Sequence, residues 1–152
     1  MAKPKIAIAS DHAGTHLKKY LIDEMTEAEF TDFGTDGQSS VDYPDFAEKA
    51  CKAVLGGQCE RAILVCGTGL GMSIAANKIH GIRAAHVESV FTAQMSREHN
   101  NANVLCLGER VTGTTNALMM ARAWLNATFE TRHQKRVDKI KALETPASMR
   151  GK

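Results

Sequence analysis

Short apolar runs alternate with amphipathic stretches along the chain, at the spacing typical of βα units built on a parallel sheet. Four strongly apolar runs predict buried strands, and a weaker run follows the first of them. The predicted strands, in chain order, are residues 5–10, 29–33, 61–66, 82–87 and 104–107. This order predicts an α/β fold with a parallel sheet flanked by helices.

The stretches between the strands carry apolar residues at helical spacing, in 17–25, in 46–54 and again in 118–124. Pro44 suits the first turn of the second helix, and Gly81 suits the end of the third. A last helix is predicted over 131–141, which is rich in Arg and Lys and should project from the rest of the domain.

A chain of 152 residues fits one domain, which we place at 1–145, with 146–152 as a loose C-terminal tail. A hydrophobic share of 43% and a charged share of 24% predict a folded globular protein. The net charge of +2 and the aromatic share of 5% argue against nucleic-acid binding, which needs a clustered basic face.

No signal peptide and no apolar run of about 18 residues is visible, so we expect a cytoplasmic protein with no membrane partner. The four cysteines show no C-x-x-C spacing and are expected to be free thiols in a reducing compartment.

The turn after the third predicted strand holds Gly67, Gly69 and Gly71 directly behind Cys66. Glycines let the backbone approach a ligand closely and aim several N–H groups at one point, which suits an anion. Met72 stands where a dinucleotide fingerprint needs a small residue and where a cysteine phosphatase needs an arginine. A tight strand-to-helix turn without a ligand is the alternative.

Cys66 ends a strand and precedes a helix, so the positive end of the helix dipole is expected to favour its thiolate, which could remove a proton. The alternative is an inert buried thiol, the interpretation that we give to Cys51, Cys59 and Cys106.

Asp11 and His12 follow the first predicted strand. Asp11 could cap the next helix, whereas an imidazole at the end of a strand is better placed to donate to an anion or a sugar oxygen. His12 and His16 are four residues apart, but no third ligand is near in sequence, so no metal site is predicted.

His99 ends the fourth predicted helix, where it could either oppose the helix dipole or exchange protons near neutral pH. Arg132 and Arg136 are one helical turn apart and could clamp a phosphate on one helix face, with Arg110 as a third cation. A solvated basic helix is the alternative.

Together these motifs resemble the type B ribose-5-phosphate isomerases, which are grouped with allose-6-phosphate and galactose-6-phosphate isomerases. The resemblance covers nearly the whole chain and rests on an ordered set of segments: 10–14, 42–44, 66–71, 75–78, 97–103, 108–110 and 132–136. It implies a five-stranded Rossmann-like domain that forms a homodimer or homotetramer, with sites at the subunit boundary. The implied activity interconverts ribose 5-phosphate and ribulose 5-phosphate in the pentose phosphate pathway, without metal or organic cofactor.

The resemblance also implies roles for individual residues. Cys66 would be the base and His99 the acid for ring opening, while Thr68 and the glycine turn hold the enediolate. The implied substrate ligands are Asp11, His12, Tyr43, Gly67, Gly69, Leu70, Gly71, Asn100, Arg110, Arg132 and Arg136. Among them, Asp11 and Asn100 would bind sugar oxygens, and His12 and the three arginines would bind the phosphate.

A second branch of the family lacks the cysteine and uses a glutamate six positions later as the base. Here Cys66 is present and Met72 occupies the glutamate's position, which indicates the cysteine branch. An allose-6-phosphate or other aldose-phosphate isomerase on the same site is the alternative function, and a non-catalytic sugar-phosphate sensor is a more remote one.

Overall fold

Five parallel strands form a single sheet in the computed structural model, which describes residues 1–151. The strands are β1 (Lys5–Ser10), β2 (Glu29–Asp32), β3 (Arg61–Cys66), β4 (Ala84–His86) and β5 (Val104–Gly108), and their spatial order is β2-β1-β3-β5-β4. The predicted fold class, a five-stranded parallel α/β sheet flanked by helices, is confirmed.

Helices follow the strands in alternation. They are α1 (Thr15–Glu24), α2 (Tyr43–Leu55), α3 (Leu70–Ala76), α4 (Val90–Glu98), α5 (Thr114–Asn126) and α6 (Gln134–Ala142). Short 3-10 helices lie at Thr131–His133 and Ala147–Met149. Among residues 1–151, no helix has both the length and the apolar character needed to cross a membrane.

Alternating strand residues divide the core into two layers, because successive side chains of a strand point to opposite faces of the sheet. Ile6 and Ile8 of β1 belong to the layer that contains Trp124 of α5. Ala7 and Ala9 belong to the other layer, which also contains the Cys66 side chain and residues of α2 and α3. Cys66 therefore ends β3 on the face that α2 and α3 cover.

Two predicted boundaries around β4 are wrong. Helix α3 ends at Ala76 rather than near Gly81, because the Asn77 side chain both donates to Ala84 O and accepts from Ala84 N. Gly81 instead has a φ of +88° in the connection that follows. Ile82 is buried but precedes the strand, since the N–H of Arg83 bonds to the side chain of Asn103 rather than to a neighbouring strand.

The predicted basic helix over 131–141 is divided in two. Arg132 lies in the 3-10 helix and Arg136 in α6, so the two do not share one regular helix face. His133, at the end of the 3-10 helix, is buried, with 4% of its surface exposed.

Candidate active site

The loops that follow β1 and β3 lie side by side at the carboxyl edge of the sheet. From β1 the chain passes to β2 on one side and later returns to β3 on the other, and ligands bind at such a switch point in open α/β sheets. A crevice of about 230 Å³ lies here. It is lined by Asp11, His12, Ala13, Tyr43, Cys66, Gly67, Thr68, Gly71 and Arg110, of which only Ala13 was not predicted. We call this set the cysteine half-site.

The Cys66 thiol is held by the turn behind it. Its Sγ accepts a hydrogen bond from the N–H of Gly69 at 3.1 Å, and 4% of the residue is exposed. The Gly69 N–H therefore points at the atom that would carry the charge of a thiolate, the reactive form of a cysteine. Gly69 has a φ of +81°, a conformation that suits glycine and aims its N–H back at the sulfur.

Two glycines allow other groups to approach the turn. A Cβ on Gly71 would lie 2.7 Å from Cζ of Tyr43, so the tyrosine ring rests on this glycine. A Cβ on Gly108, at the end of β5, would lie 2.6 Å from the Thr68 carbonyl oxygen. The same oxygen is 2.8 Å from Nε2 of His86, and because a carbonyl only accepts, this nitrogen carries the proton.

Asp11 does not cap α1, contrary to one of the two roles expected for it. The N-cap is Gly14, and Oδ1 of Asp11 instead accepts from the N–H of Ala13 at 2.9 Å, within the turn before the helix. A Cβ on Gly14 would lie 2.7 Å from Val65 O, so the turn packs against β3 and keeps Asp11, 6% exposed, beside Cys66 in the crevice.

His12 and Arg110 supply the donors of the cysteine half-site. Nδ1 of His12 accepts from the N–H of Val41 at 3.2 Å, so in the neutral ring the proton is on Nε2. The Arg110 side chain covers Gly67, and the backbone N–H of Arg110 donates to Gly67 O at 2.9 Å. Both side chains line the crevice and can donate to an anionic group.

The remaining predicted polar residues lie elsewhere, around the end of α4. The rings of His99 and His133 have centroids 4.4 Å apart, and Nη1 of Arg136 lies 3.0 Å from Nδ1 of His133. Nε of Arg132 donates to Glu130 at 2.6 Å. We call His99, Asn100, Glu130, Arg132, His133 and Arg136 the histidine half-site.

His133 is neutral in this arrangement. Burial, followed by the charge of Arg132, the neighbouring His99 and the charge of Arg136, lowers the pKa of His133 below its usual 6.5, against the opposing effect of Glu130. Its Nε2 is buried without a hydrogen-bond partner among the described residues. Since an arginine only donates, Nδ1 of His133 accepts, and the ring fixes the guanidinium of Arg136.

His99, Glu130 and His133 have potential ligand atoms within 4.8 Å of one another and could hold a metal ion. Arg132 already pairs with the Glu130 carboxylate, and Arg136 donates to Nδ1 of His133, which leaves the ring proton on Nε2, the nitrogen that faces Glu130 Oε2 at 3.8 Å. The two guanidinium groups make this cluster better suited to an anion.

Within one chain, the cysteine half-site lies at the carboxyl ends of the strands and the histidine half-site near their amino ends. Val104 of β5 pairs with Ala62 and Gly108 with Cys66, and His99 precedes the start of β5. Four strand residues span about 13 Å, far more than the roughly 3 Å over which an acid or base acts. One chain by itself therefore does not bring Cys66 and His99 to the same substrate.

Comparisons with known proteins identify the family of the chain. The sequence profile of the ribose/galactose isomerases matches residues 6–140. The chain belongs to this family. Ribose-5-phosphate isomerase B of Escherichia coli is similar to it, at 46% identity over 143 residues, covering 92% of this chain and 96% of that protein.

Solved structures of the ribose/galactose isomerase family superpose closely on this chain. The ribose-5-phosphate isomerase B of Clostridium thermocellum has a TM-score of 0.90 and 53% identity, covering 92% of this chain and 97% of that one. The Mycoplasma genitalium enzyme, solved with bound ribulose-5-phosphate, has a TM-score of 0.87 and 39% identity, covering 94% and 97%. The family named from the sequence motifs is confirmed.

Sequence reasoning missed three residues at or beside the candidate site. His86 stood within a predicted strand, and its position at the carboxyl end of that strand was the available signal. Glu109 lies within the segment 108–110 named above. Its Oε1 accepts a hydrogen bond from the Leu17 N–H at 2.5 Å, which connects α1 to the loop after β5. His133, inside the arginine motif, was the third.

Proposed function

We propose that this chain is an aldose-ketose isomerase that interconverts ribose 5-phosphate and ribulose 5-phosphate, with Cys66 as the base. The observation that carries the proposal is the Cys66 thiol, hydrogen-bonded to the Gly69 N–H in a crevice that His12 and Arg110 also line. A buried inert thiol would have neither the donor nor the crevice. The bound ribulose-5-phosphate of the Mycoplasma genitalium relative supports the choice of substrate.

The active unit in this proposal contains two copies of the chain. Each site combines the cysteine half-site of one copy with the histidine half-site of the other, as a two-fold interface permits. The apolar side chains of Leu70 and Ile74, 52% and 62% exposed on α3 beside the crevice, support an interface on this face. Pairing of dimers into a tetramer is compatible with this arrangement.

Substrate binding draws on both half-sites. His12 and Arg110 from one copy, with Arg132 and Arg136 from the other, bind the phosphate by charge-assisted hydrogen bonds. Asp11 and Asn100 bind sugar oxygens, and Tyr43 lines the crevice beside Gly71.

Ring opening comes first in the proposed reaction. His99 donates a proton to the ring oxygen O4 as the C1–O4 bond breaks. Solvent water takes the proton of the C1 hydroxyl, which becomes the aldehyde, and solvent returns a proton to His99. The Cys66 thiolate then removes the C2 proton, and the electron pair forms the C1=C2 bond as charge collects on O1. Backbone N–H groups of the turn formed by Gly67, Thr68, Gly69, Leu70 and Gly71 stabilise this enediolate.

The proton returns by the same thiol. The O2 hydroxyl proton moves to O1, Cys66 delivers its proton to C1, and C2 becomes the ketone carbon, so no atom or electron is gained or lost. Cys66, His99, the backbone and solvent water supply every step, and the proposal therefore assigns no role to a metal or organic cofactor.

The proposal places the isomerase domain at 1–145 and gives the tail, 146–152, no catalytic group. Four free, buried cysteines support a reducing, cytoplasmic location. The proposal includes no nucleic-acid and no membrane partner.

The activity is tested by comparing kcat/KM for five- and six-carbon aldose phosphates, for the native chain and for Cys66→Ala. Ribose 5-phosphate should be the best substrate, and Cys66→Ala should lose turnover while it still binds phosphate. Cys59→Ala, which also removes a buried thiol but outside the crevice, should be unchanged. Near-native turnover of Cys66→Ala would refute the proposal, and a preference for allose 6-phosphate would change its substrate.

The shared site is tested by mixing two inactive variants, Cys66→Ala and His99→Asn, under conditions that let subunits exchange. A mixed dimer contains one site with both residues and one with neither, so random pairing restores about a quarter of native activity. Failure to restore activity, with exchange shown by native mass spectrometry, would mean that each chain contains its own complete site.

A further inference from the structure

The turn that carries His99 and Asn100 is held by an arginine from another part of the sheet. Nε of Arg83 donates to the carbonyl oxygens of Asn100 at 3.1 Å and Asn101 at 3.2 Å, and Nη2 donates to Asn101 at 3.0 Å. The planar guanidinium thus binds two successive carbonyls at once, which fixes the direction of the turn as well as its position.

The backbone of Arg83 is tied to the same segment. Its N–H donates to Oδ1 of Asn103 at 2.7 Å, and its carbonyl accepts from the Asn103 N–H at 3.1 Å. Asn101 has a φ of +49°, a conformation that asparagine tolerates better than most residues. The turn is therefore a defined structure whose free carbonyls point at Arg83.

Maintaining this contact brings like charges together. Arg61, Arg83 and Arg97 have no carboxylate within 4.0 Å among residues 1–151. Burial lowers the pKa of Arg83. Burial, and then the charges of Arg61 and Arg83, lowers the pKa of Arg97 to about 10. A simple structural tie would not require a partly buried cation, whereas a rigidly aimed turn makes use of the fork of donors that an arginine supplies.

We infer that Arg83 is a positioning residue for ring opening, which holds His99 and Asn100 in the orientation that the sugar ring requires. The inference rests on the role proposed for His99. Arg83 does not touch substrate; it acts through the Asn100 and Asn101 carbonyls. Its loss should therefore impair the step that uses His99 and spare the proton transfer that uses Cys66.

The two steps can be measured separately. Ribose 5-phosphate is mostly cyclic and must be opened, whereas ribulose 5-phosphate has its C5 oxygen esterified and remains open-chain. Exchange of a C1 hydrogen of ribulose 5-phosphate with D₂O needs Cys66 and the enediolate but no ring opening. For Arg83→Ala we expect ribose 5-phosphate turnover to fall roughly 10- to 100-fold, while saturated exchange stays within about threefold.

Guanidinium rescue gives a second readout. Arg83 and Asn100 border a cavity of about 540 Å³, which leaves room for a small cation to reach the vacated position. Guanidinium, kept well below denaturing concentrations, should restore several-fold of the lost ribose 5-phosphate turnover in Arg83→Ala. Arg83→Lys, which keeps the charge without the fork, should show a smaller loss and no rescue.

The matched control is Arg122→Ala, which also removes an arginine bonded to a carbonyl, Glu24 O at 2.9 Å, but between α1 and α5. It should change neither rate. If Arg83→Ala and Arg83→Lys lose both rates together, in proportion to their folded fraction by circular dichroism, Arg83 only stabilises the fold and the inference is wrong. Full ribose 5-phosphate turnover in Arg83→Ala would also overturn it.

His99→Asn separates this inference from the proposed function. It should show the same split between the two rates without guanidinium rescue. If His99→Asn turns over ribose 5-phosphate normally, the assignment of the acid is wrong, whatever Arg83→Ala does. If only Arg83→Ala fails to show the split, the proposed function stands and the positioning role is rejected.

Discussion

The ring of Tyr43 lies on Gly71, so that a methyl group at position 71 would come within 2.7 Å of Cζ of the tyrosine. Tyr43 is 39% exposed at the start of α2, so its ring can move aside, and the cost of a larger residue at 71 falls on the site rather than on the core. Gly71 therefore determines the position of the Tyr43 ring on one side of the crevice.

Gly71→Ala should move the Tyr43 ring and lower kcat/KM for ribose 5-phosphate by roughly tenfold, with little change in melting temperature. Adding Gly71→Ala to Tyr43→Ala should cost almost nothing further, because the displaced ring is already absent. Kinetics of the two single variants and the double variant test this. Additive losses would show that the alanine acts on the backbone turn and not through the tyrosine.

Gly69→Ala should be more damaging, because position 69 combines a φ of +81° with close neighbours. Its Cβ would lie 2.7 Å from Cδ2 of His86 and 3.0 Å from the backbone carbon of Leu107. We expect a loss of about 2 to 4 kcal/mol in the free energy of unfolding, measured by urea denaturation. Turnover should also fall, since the N–H that bonds to Cys66 would be displaced.

Gly57→Ala is the control for Gly69→Ala. Gly57 has a φ of +77°, but a Cβ there would meet no atom within 4 Å. It should cost only the backbone strain, about 1 kcal/mol, and leave turnover unchanged. Equal losses in the two variants would contradict the steric argument.

His86 should matter for turnover through the carbonyl that it holds. His86→Leu removes the donor to Thr68 O at 2.8 Å and leaves that oxygen without this partner. We expect kcat to fall roughly tenfold, because the turn that is proposed to bind the enediolate would be less fixed. His80→Leu, at an exposed position outside the turn, should leave kcat unchanged, and an unchanged kcat in His86→Leu would remove His86 from the site.

The stability of the protein should depend on pH through His133. Its pKa is lowered in the folded state, so the folded protein binds this proton less readily than the unfolded chain does. The contribution of neutral His133 to the free energy of unfolding is therefore fully present above the unfolded pKa of about 6.5, and it is lost as the pH falls toward the folded pKa. Protonation also replaces the acceptor of Arg136 with a donor.

Melting temperatures at pH 7.5 and pH 5 test this for the native chain and His133→Gln. The variant should show a smaller drop between the two pH values, whereas His80→Gln, at an exposed histidine, should match the native chain. An identical drop in His133→Gln would assign the pH dependence to other groups.

Local pattern was sufficient for most of the fold. The apolar runs that become β1 and β3 are continuous, and the glycines at 67, 69 and 71 stand close enough to Cys66 that their effect on it is local. The end of α3 was not predictable in this way, because the Asn77 side chain that stops it bonds to Ala84, beyond the turn. Ile82 shows the same limit. Its apolar side chain correctly predicts burial, but whether it belongs to a strand depends on which backbone segment lies next to it in the folded chain.

The amino-acid sequence by itself determined the chemical groups of the candidate site, since the motifs that contain Cys66, His99 and the two arginines are residue types at fixed spacings. Only the tertiary structure decided how those groups are divided. In a parallel sheet, all strands end on the same side, and the helices that follow them end on the opposite side. Cys66, at the end of a strand, and His99, at the end of a helix, therefore lie at opposite ends of the strands. The same pairing of distant segments placed His86 on Thr68 and Arg83 on the His99 turn, contacts that no local pattern contains.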